Sequence, residues 1–220
     1  MNANLNDILI PMQNKILIVQ TPLVQNSLSH LRDKVTIMSD FRKFADVISK
    51  DLVSYALHSN DMTQKTISTP LQNIEASFIS RGFIALPILR SGLAMLPSFL
   101  TIAPQARVGF AGLARDEATA EAHEYYWKMP LIDRNDVIII LDPMIATGGS
   151  VLTVLRKLRK DLDNEIRIVS IISSLPGITA IKNEFPEVSV VTAAVDQTLN
   201  AQKYIVPGLG DFGDRYFGTE

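Results

Sequence analysis

The segment IIILDPMIATGGS, residues 138–150, combines residue types that can bind a phosphate compound. Its apolar start predicts a buried strand, and its glycine pair predicts the beginning of a helix. Free backbone N–H groups and the helix dipole favour an anion at such a point, and glycines allow close approach of the backbone. Thr147 and Ser150 add hydroxyl donors. A plain strand–turn–helix connection with a capping serine is the alternative interpretation.

Asp142 stands at the end of the predicted strand, beside the turn that would hold the phosphate. A carboxylate repels a phosphate, so its position is sensible when it binds sugar hydroxyls or a magnesium ion carried by the ligand. Two nucleotide motifs are excluded in this stretch. No lysine follows the glycines, as a P-loop requires, and the dinucleotide fingerprint G-x-G-x-x-G is absent.

Continuous apolar strands that alternate with helices predict an α/β fold with a parallel sheet covered on both faces. A β-ribbon broken at Pro70 is expected at residues 65–79, and Ser39 is expected to cap a helix over 39–59. The expected strands are 15–20, 83–89, 107–113, 136–141, 165–174 and 188–195, and the other helices are 91–103, 149–160 and 177–185.

Parallel sheets of this kind bind ligands at the carboxyl ends of their strands. Four such strand ends therefore form the candidate site: residues 89–92, 113–116, 142–149 and 174–177.

Composition limits the class of protein. The chain has 220 residues, a length that predicts one domain over 1–220, with 1–14 expected as a loose extension. Its residues are 47% hydrophobic, and its net charge is -2. Without a basic excess there is no support for nucleic-acid binding. The absence of cysteine excludes disulfides, cysteine zinc sites and a cysteine nucleophile. No signal peptide and no run of roughly 18 apolar residues is present, so no membrane association and a cytoplasmic location are expected.

Three further segments are candidates for the site. Arg90 follows an apolar strand, where its planar guanidinium suits a diphosphate, although a salt bridge to a neighbouring carboxylate would also explain it. Arg115 lies in a polar, alanine-rich and acidic segment between residues 114 and 124, whose composition is also that of a solvated surface loop or hairpin. Residues 196–220 combine glycines with many apolar side chains, which favours a docked loop over a flexible tail.

Several of these stretches together resemble one family. Most type I phosphoribosyltransferases carry two adjacent acids in their phosphoribosyl diphosphate motif, whereas Asp142 is followed by Pro143. DPMIATGGS instead resembles the uracil phosphoribosyltransferase version, DPM-x-ATGGS. The resemblance extends from about residue 15 to the end, through LPILRSGL (86–93), GLARDEATAEAHEYYWKMP (112–130) and YIVPGLGDFGDRYFGT (204–219).

The resemblance implies a type I phosphoribosyltransferase fold with a C-terminal hood over 196–220 and a β-ribbon or flap. It implies conversion of uracil and phosphoribosyl diphosphate to UMP and diphosphate, with Arg90, Arg115 and Asp142 as catalytic residues. Magnesium is expected to be bound mainly through the diphosphate, with no metal site of the protein's own. The implied phosphoribosyl diphosphate ligands are Arg90, Arg115, Asp142, Pro143, Met144, Ile145, Ala146, Thr147, Gly148, Gly149, Ser150 and Asp211, and the implied uracil contacts are Ile205, Gly210, Asp211 and Phe212.

The sequence departs from the family pattern at Thr21, Ala114 and Phe212. Phe212 puts base selectivity in question if its side chain faces the pocket. The resemblance also implies a homodimer or larger homo-oligomer, and GTP binding as in some members. A regulatory RNA-binding homologue and a degenerate homologue remain the alternative functions.

Overall fold

The computed structural model describes residues 16–58, 62–115 and 122–219, and it shows an α/β fold. Its strands are β1 (Ile16–Ile18), β2 (Met62–Ser68), β3 (Asn73–Ile79), β4 (Phe83–Leu89), β5 (Arg107–Val108), β6 (Phe110–Arg115), β7 (Ala122–Lys128), β8 (Val137–Leu141), β9 (Met144–Ile145), β10 (Glu165–Ser174), β11 (Ser189–Asp196), β12 (Thr198–Leu199) and β13 (Ile205–Val206). Its helices are α1 (Pro22–Arg32), α2 (Met38–Ala56), α3 (Leu96–Ile102), α4 (Gly149–Leu158), α5 (Leu175–Glu184) and α6 (Phe212–Phe217).

The central sheet has the strand order β1-β11-β10-β8-β4-β6-β7. Neighbours pair in parallel except β7, which is antiparallel to β6, and the short strands β5 and β9 add to β4 and β10. Two antiparallel hairpins, β2–β3 and β12–β13, lie outside this sheet. The carboxyl ends of β4, β6 and β8 therefore point towards the same edge.

Strand β8 shows why the sheet is so apolar. All five of its residues are buried, with Val137, Ile139 and Leu141 in one core cluster and Ile138 and Ile140 in the other. Successive side chains of a strand point to opposite faces, so both faces of β8 need a covering layer. Helices α2 and α3 contribute to the first cluster, and α4 and α5 contribute to the second.

The structure confirms most of the predicted elements, including strands 83–89 and 165–174 and the ribbon broken at Pro70. The predicted cap of α2 was wrong, because Ser39 lies inside the helix and Ile37 occupies the cap without a side-chain hydrogen bond. The strand expected at 107–113 is divided into β5 and β6.

Helix α1 was not predicted, although its start carries a local signal. The Thr21 hydroxyl accepts a hydrogen bond from the Val24 N–H at 3.2 Å, and Pro22 occupies the first helical position. Threonine at a cap followed by proline is a favoured helix start. The expected loose extension, 1–14, lies outside the described residues. No helix in the described part of the chain is long and apolar enough to cross a membrane.

Candidate active site

A cavity of about 450 Å³ opens between the carboxyl ends of the central strands and the C-terminal segment 196–219, here called the hood. Three of the four predicted strand ends contribute to its wall. The lining residues are Ile88, Leu89, Arg90, Ser91, Leu113, Asp142, Met144, Ile145, Ala146, Thr147, Gly148, Gly149, Ser150, Val151, Gln202, Lys203, Tyr204, Asp211, Phe212 and Gly213.

Residues 142–150, here called the phosphate loop, end at the first turn of α4. Gly148 caps the helix with a left-handed φ of 80°, and no side chain occupies this cap. The Gly149 N–H makes a long hydrogen bond of 3.4 Å to the Thr147 hydroxyl. The N–H groups of a first helical turn have no acceptor earlier in the helix, and the first turn of α4 lines the cavity.

The fourth predicted strand end, residues 174–177, supports the phosphate loop from behind and does not line the cavity. The Ser174 hydroxyl donates to the Ala146 carbonyl and accepts from the Gly177 N–H at 2.9 Å. A Cβ at Gly177 would overlap the Ala146 carbonyl oxygen, and one at Gly148 would lie 3.0 Å from the Gly177 carbonyl oxygen. Glycine at both positions allows this close contact.

Asp142 directly follows β8, lines the cavity and is only 7% exposed. Burial raises its pKa to about 7, against a weaker lowering by the Met144 N–H, whose nitrogen lies 3.5 Å from Oδ1. Pro143 is not among the lining residues. Its carbonyl oxygen accepts from the N–H groups of Ile171 and Ile172, which ties the phosphate loop to β10.

Arg90 and Ser91 follow β4, the strand that pairs with β8 beside Asp142. Ser91 begins a short 3₁₀ turn, and both residues line the cavity. None of the ion pairs found within residues 16–58, 62–115 and 122–219 involves Arg90, so the alternative of a structural salt bridge finds no support there. A Cβ at Gly92 would overlap the Leu141 carbonyl oxygen, which shows how closely the ends of β4 and β8 pack.

Arg115 is the last residue of β6, and its side chain and residues 116–121 lie outside the described part. The flanking strands form an antiparallel hairpin with an irregular register between Gly112 and Leu113. Leu113 of β6 lines the cavity, so one strand of this hairpin contributes to the site. The roles predicted for Arg115 and for a closing flap remain predictions.

The hood contributes Asp211 and Phe212 to the cavity, whereas Ile205 and Gly210 are not among the lining residues. Asp211 caps α6, and its Oδ1 accepts from the Asp214 N–H at 3.0 Å. The side chain of Phe212 belongs to the core, because the residue is 1% exposed and its ring lies 5.2 Å from that of Phe41.

An arginine of α1 holds the start of the hood. Arg32 makes two hydrogen bonds to the Asp196 carboxylate, at 2.8 and 2.7 Å, and one to the Gly208 carbonyl at 2.8 Å. The Gly208 N–H also donates to Asp196 at 2.9 Å. Burial would raise the pKa of Asp196, but these hydrogen bonds and the charge of Arg32 hold the pKa below its ordinary value.

A second arginine, Arg215 of α6, joins the hood to the end of α1. Its guanidinium donates to the carbonyl oxygens of Leu209 and Asp33, each at 2.6 Å, and to that of Leu31. The same group lies 4.4 Å from the centroid of the Phe41 ring. The hood is therefore fixed by charge-assisted hydrogen bonds to a helix at the opposite end of the chain.

A family model described as uracil phosphoribosyltransferase matches residues 18–219. The chain belongs to the uracil phosphoribosyltransferase family. A relative of that name from Dictyoglomus turgidum is 42% identical over 208 residues, which cover 93% of this chain and all of the relative. Another, from Campylobacter curvus, is 39% identical over 202 residues, which cover 92% of this chain and 97% of the relative.

Solved structures share the fold of this chain. A protein from Aquifex aeolicus superposes with a TM-score of 0.87 at 33% identity, covering 93% of this chain and 99% of that one. An adenine phosphoribosyltransferase from Trypanosoma brucei superposes with a TM-score of 0.53 at 13% identity over 85% of each chain, which shows a shared fold. The predicted family and fold class are confirmed.

Uracil phosphoribosyltransferase motifs did not reveal every residue of the cavity wall. Gln202, Lys203 and Tyr204 line it and were not predicted as ligands, although Tyr204 begins the segment 204–219 that carries the resemblance. They belong to the β12–β13 turn, where the Tyr204 N–H donates to the Asn200 side-chain oxygen at 2.9 Å. The polar sequence of this turn is typical of any surface loop, so it carried no signal of a ligand.

Proposed function

We propose that the protein transfers the phosphoribosyl group of 5-phospho-α-D-ribose 1-diphosphate to uracil, forming UMP and diphosphate. The observation that carries this proposal is the meeting of three features in one cavity. A phosphate loop, a buried carboxyl group and a hood face one another there, in a chain that belongs to the uracil phosphoribosyltransferase family.

The reaction breaks the bond between the anomeric carbon and the diphosphate oxygen and forms a bond from that carbon to a uracil nitrogen. The uracil N–H proton is released, and the diphosphate leaves with the bonding electrons. The transition state resembles an oxocarbenium ion. The protein therefore contributes mainly by aligning the two reactants and by placing charges around the separating groups.

In this proposal, each charged part of the sugar substrate has its own ligands in the cavity wall. Thr147 to Ser150 would hold the 5-phosphate with hydroxyl and backbone donors. Asp142, once ionised, would accept hydrogen bonds from the ribose hydroxyls and so fix the ring. Arg90 would bind the diphosphate, and Arg115 would stabilise it as it leaves.

Uracil would be recognised by the backbone of the hood. The base offers two carbonyl acceptors and two N–H donors, which main-chain groups can satisfy. Asp211 and Phe212 line the cavity, and Gly210 precedes them with a φ of 82°. The ring of Phe212 lies in the core, so this departure from the family pattern leaves the backbone edge accessible to the base.

Magnesium fits this site as a companion of the diphosphate. Mg²⁺ prefers one or two carboxylates together with phosphate oxygens and water. The cavity offers the carboxyl groups of Asp142 and Asp211. The ion would be bound mainly through the diphosphate, whose negative charge it would share, and Asp211 would help to orient the ribose or this metal. A cytoplasmic location, a homo-oligomer and GTP binding also belong to this proposal.

The decisive experiment is an assay of nucleotide formation. Purified protein is incubated with magnesium, phosphoribosyl diphosphate and, separately, uracil, cytosine, hypoxanthine or orotate. UMP from uracil, with little product from the other bases, is the expected result. Absence of UMP above background contradicts the proposal. The same assay with and without GTP tests activation, and light scattering gives the oligomeric state.

A further inference from the structure

Lys203 adopts a backbone conformation that favours glycine. Its φ is 67°, and it is the one non-glycine residue with a positive φ in the described ranges. Side chains are disfavoured there because Cβ approaches the neighbouring carbonyl oxygen. The surrounding turn does not depend on the lysine side chain, since its hydrogen bonds run from the N–H groups of Lys203 and Tyr204 to the backbone and side chain of Asn200.

The side chain of Lys203 is also available for a ligand. Lys203 is exposed and makes no side-chain hydrogen bond or ion pair with any residue in 16–58, 62–115 or 122–219. It lines the same cavity as Arg90, and these two are the basic residues among those lining residues that the structure describes. Phosphoribosyl diphosphate carries negative groups at both ends of the sugar, so two separated cations match its charge distribution.

The fold places these two cations on different sides of the sugar site. Arg90 follows β4. The turn with Lys203 joins β12 and β13, which come after β11 in the chain, and β10 and β8 separate β11 from β4 in the sheet. β12 packs against α5, and α5 brings Gly177 against Gly148 of the phosphate loop. The Lys203 turn therefore stands on the phosphate-loop side of the cavity and away from Arg90.

The phosphate loop itself has no basic side chain, since its anion-binding part is Thr147, Gly148, Gly149 and Ser150. We propose that Lys203 is the cationic partner of the 5-phosphate, both in phosphoribosyl diphosphate and in UMP. This inference rests on the proposed function and adds a phosphate-binding residue to it. A flexible ammonium group reaching from the hood would also couple hood position to the occupancy of the phosphate loop.

Ribose 5-phosphate is the probe that separates the two ends of the substrate, because it has the 5-phosphate but no diphosphate. Calorimetry should show about tenfold weaker binding of ribose 5-phosphate to Lys203→Met than to the unaltered protein, as expected for loss of a charge-assisted hydrogen bond. Inhibition by UMP should weaken by a similar factor. Inorganic diphosphate binding and the KM for uracil should remain within about twofold.

Matched variants make the result specific to the position and charge of this lysine. Lys203→Arg retains the charge and should keep ribose 5-phosphate affinity within about threefold. Lys160→Met removes an exposed lysine beyond the far end of α4 and should leave the affinity unchanged. Lys203→Gly removes the side chain but suits the left-handed φ, so the melting temperature should be equal or higher while ribose 5-phosphate affinity falls as in Lys203→Met.

Two results would overturn the inference. One is unaltered ribose 5-phosphate and UMP affinity in Lys203→Gly and Lys203→Met. The other is a raised KM for uracil with unchanged ribose 5-phosphate affinity, which would assign the lysine to the base. Failure of the proposed function looks different, because the unaltered protein would then form no UMP even if its binding of ribose 5-phosphate depended on Lys203.

Discussion

The phosphate loop and the hood face the same cavity, but different parts of the chain hold them in place. Ala146 of the loop is tied to Ser174, 28 residues away, and Pro143 is tied to the adjacent strand β10. The hood is tied through Arg32 and Arg215 to partners 164 to 184 residues away. The loop is thus part of the sheet, whereas the hood is a terminal segment fastened onto it.

Because of this difference, substitutions in the two regions should change different properties of the protein. A substitution in the phosphate loop that leaves the backbone intact should reduce the rate of the chemical step. A substitution at a hood anchor should reduce stability and weaken uracil binding, because the hood would lose its position relative to the loop.

Phe212→Ala should have the largest effect, and the effect should be on stability. Removing the buried ring leaves a cavity beside Phe41 and should lower the free energy of unfolding by about 3 to 5 kcal/mol. Denaturant unfolding measures this loss. Phe212→Leu serves as a control that retains most of the buried volume and should lose less. Altered base preference with unchanged stability would show that the ring serves the pocket.

Asp142→Asn should leave the protein folded and remove most of its activity. Loss of the carboxylate should reduce kcat/KM by about 100- to 1,000-fold, or about 2.7 to 4 kcal/mol of transition-state stabilisation. Stability at pH 8 should be equal or higher, since asparagine places no charge in this buried position. Initial rates and thermal unfolding test both statements. A rate close to that of the unaltered protein would remove Asp142 from its proposed role.

Arg32→Met should loosen the hood by leaving the Asp196 carboxylate without its partner. Because Arg32 is partly exposed, the expected loss of stability is about 2 kcal/mol, below that of a fully buried pair. The KM for uracil should rise more than kcat falls. A double-mutant cycle with Asp196→Asn isolates the pair, and additive effects of the two substitutions would mean that the pair does not position the hood.

The pH dependence should be the smallest effect, and it should differ between the two carboxyl groups. The pKa of Asp142 is raised from 3.8 to about 7, so its carboxylate predominates only above about pH 7. Affinity for phosphoribosyl diphosphate should fall about tenfold between pH 8 and pH 6, where about a tenth of the groups are ionised. Kinetics over this range measure the slope, which Asp142→Asn should abolish.

In the free protein, the two carboxyl groups of Asp142 and Asp196 should contribute to stability with opposite dependence on pH. Asp142 binds its proton more tightly in the folded state, so its contribution to stability is lost as pH rises from about 4 to about 7. The pKa of Asp196 is lowered from 3.8, so its contribution is present above that value and is lost in more acidic solution. Thermal unfolding of the Asp142→Asn and Asp196→Asn variants separates the two contributions.

The same difference explains what the sequence could predict. The strand, turn and helix of the phosphate loop were predicted correctly because they are adjacent in the chain and each has a local signal, whereas phosphate binding by the loop stays a prediction. The anchors of the hood carry no local signal, since Arg32 and Arg215 look like ordinary helix-end arginines until the fold brings their partners close. The lining residue Lys203 was missed because the polar turn around it carries no local signal of a ligand. Helix α1 was also missed, although Thr21 and Pro22 form a local start signal for it.

The two arginine anchors also determine which parts of this chain can be exchanged with those of a relative. Helix α1 and the hood are distant in sequence but form one structural module, because the carbonyl oxygens of Leu31 and Asp33 receive hydrogen bonds from Arg215. A chimera that replaces residues 196–219 alone would join a new hood to an unmatched helix. Transfer of base specificity by recombination would therefore require α1 and the hood to be moved together.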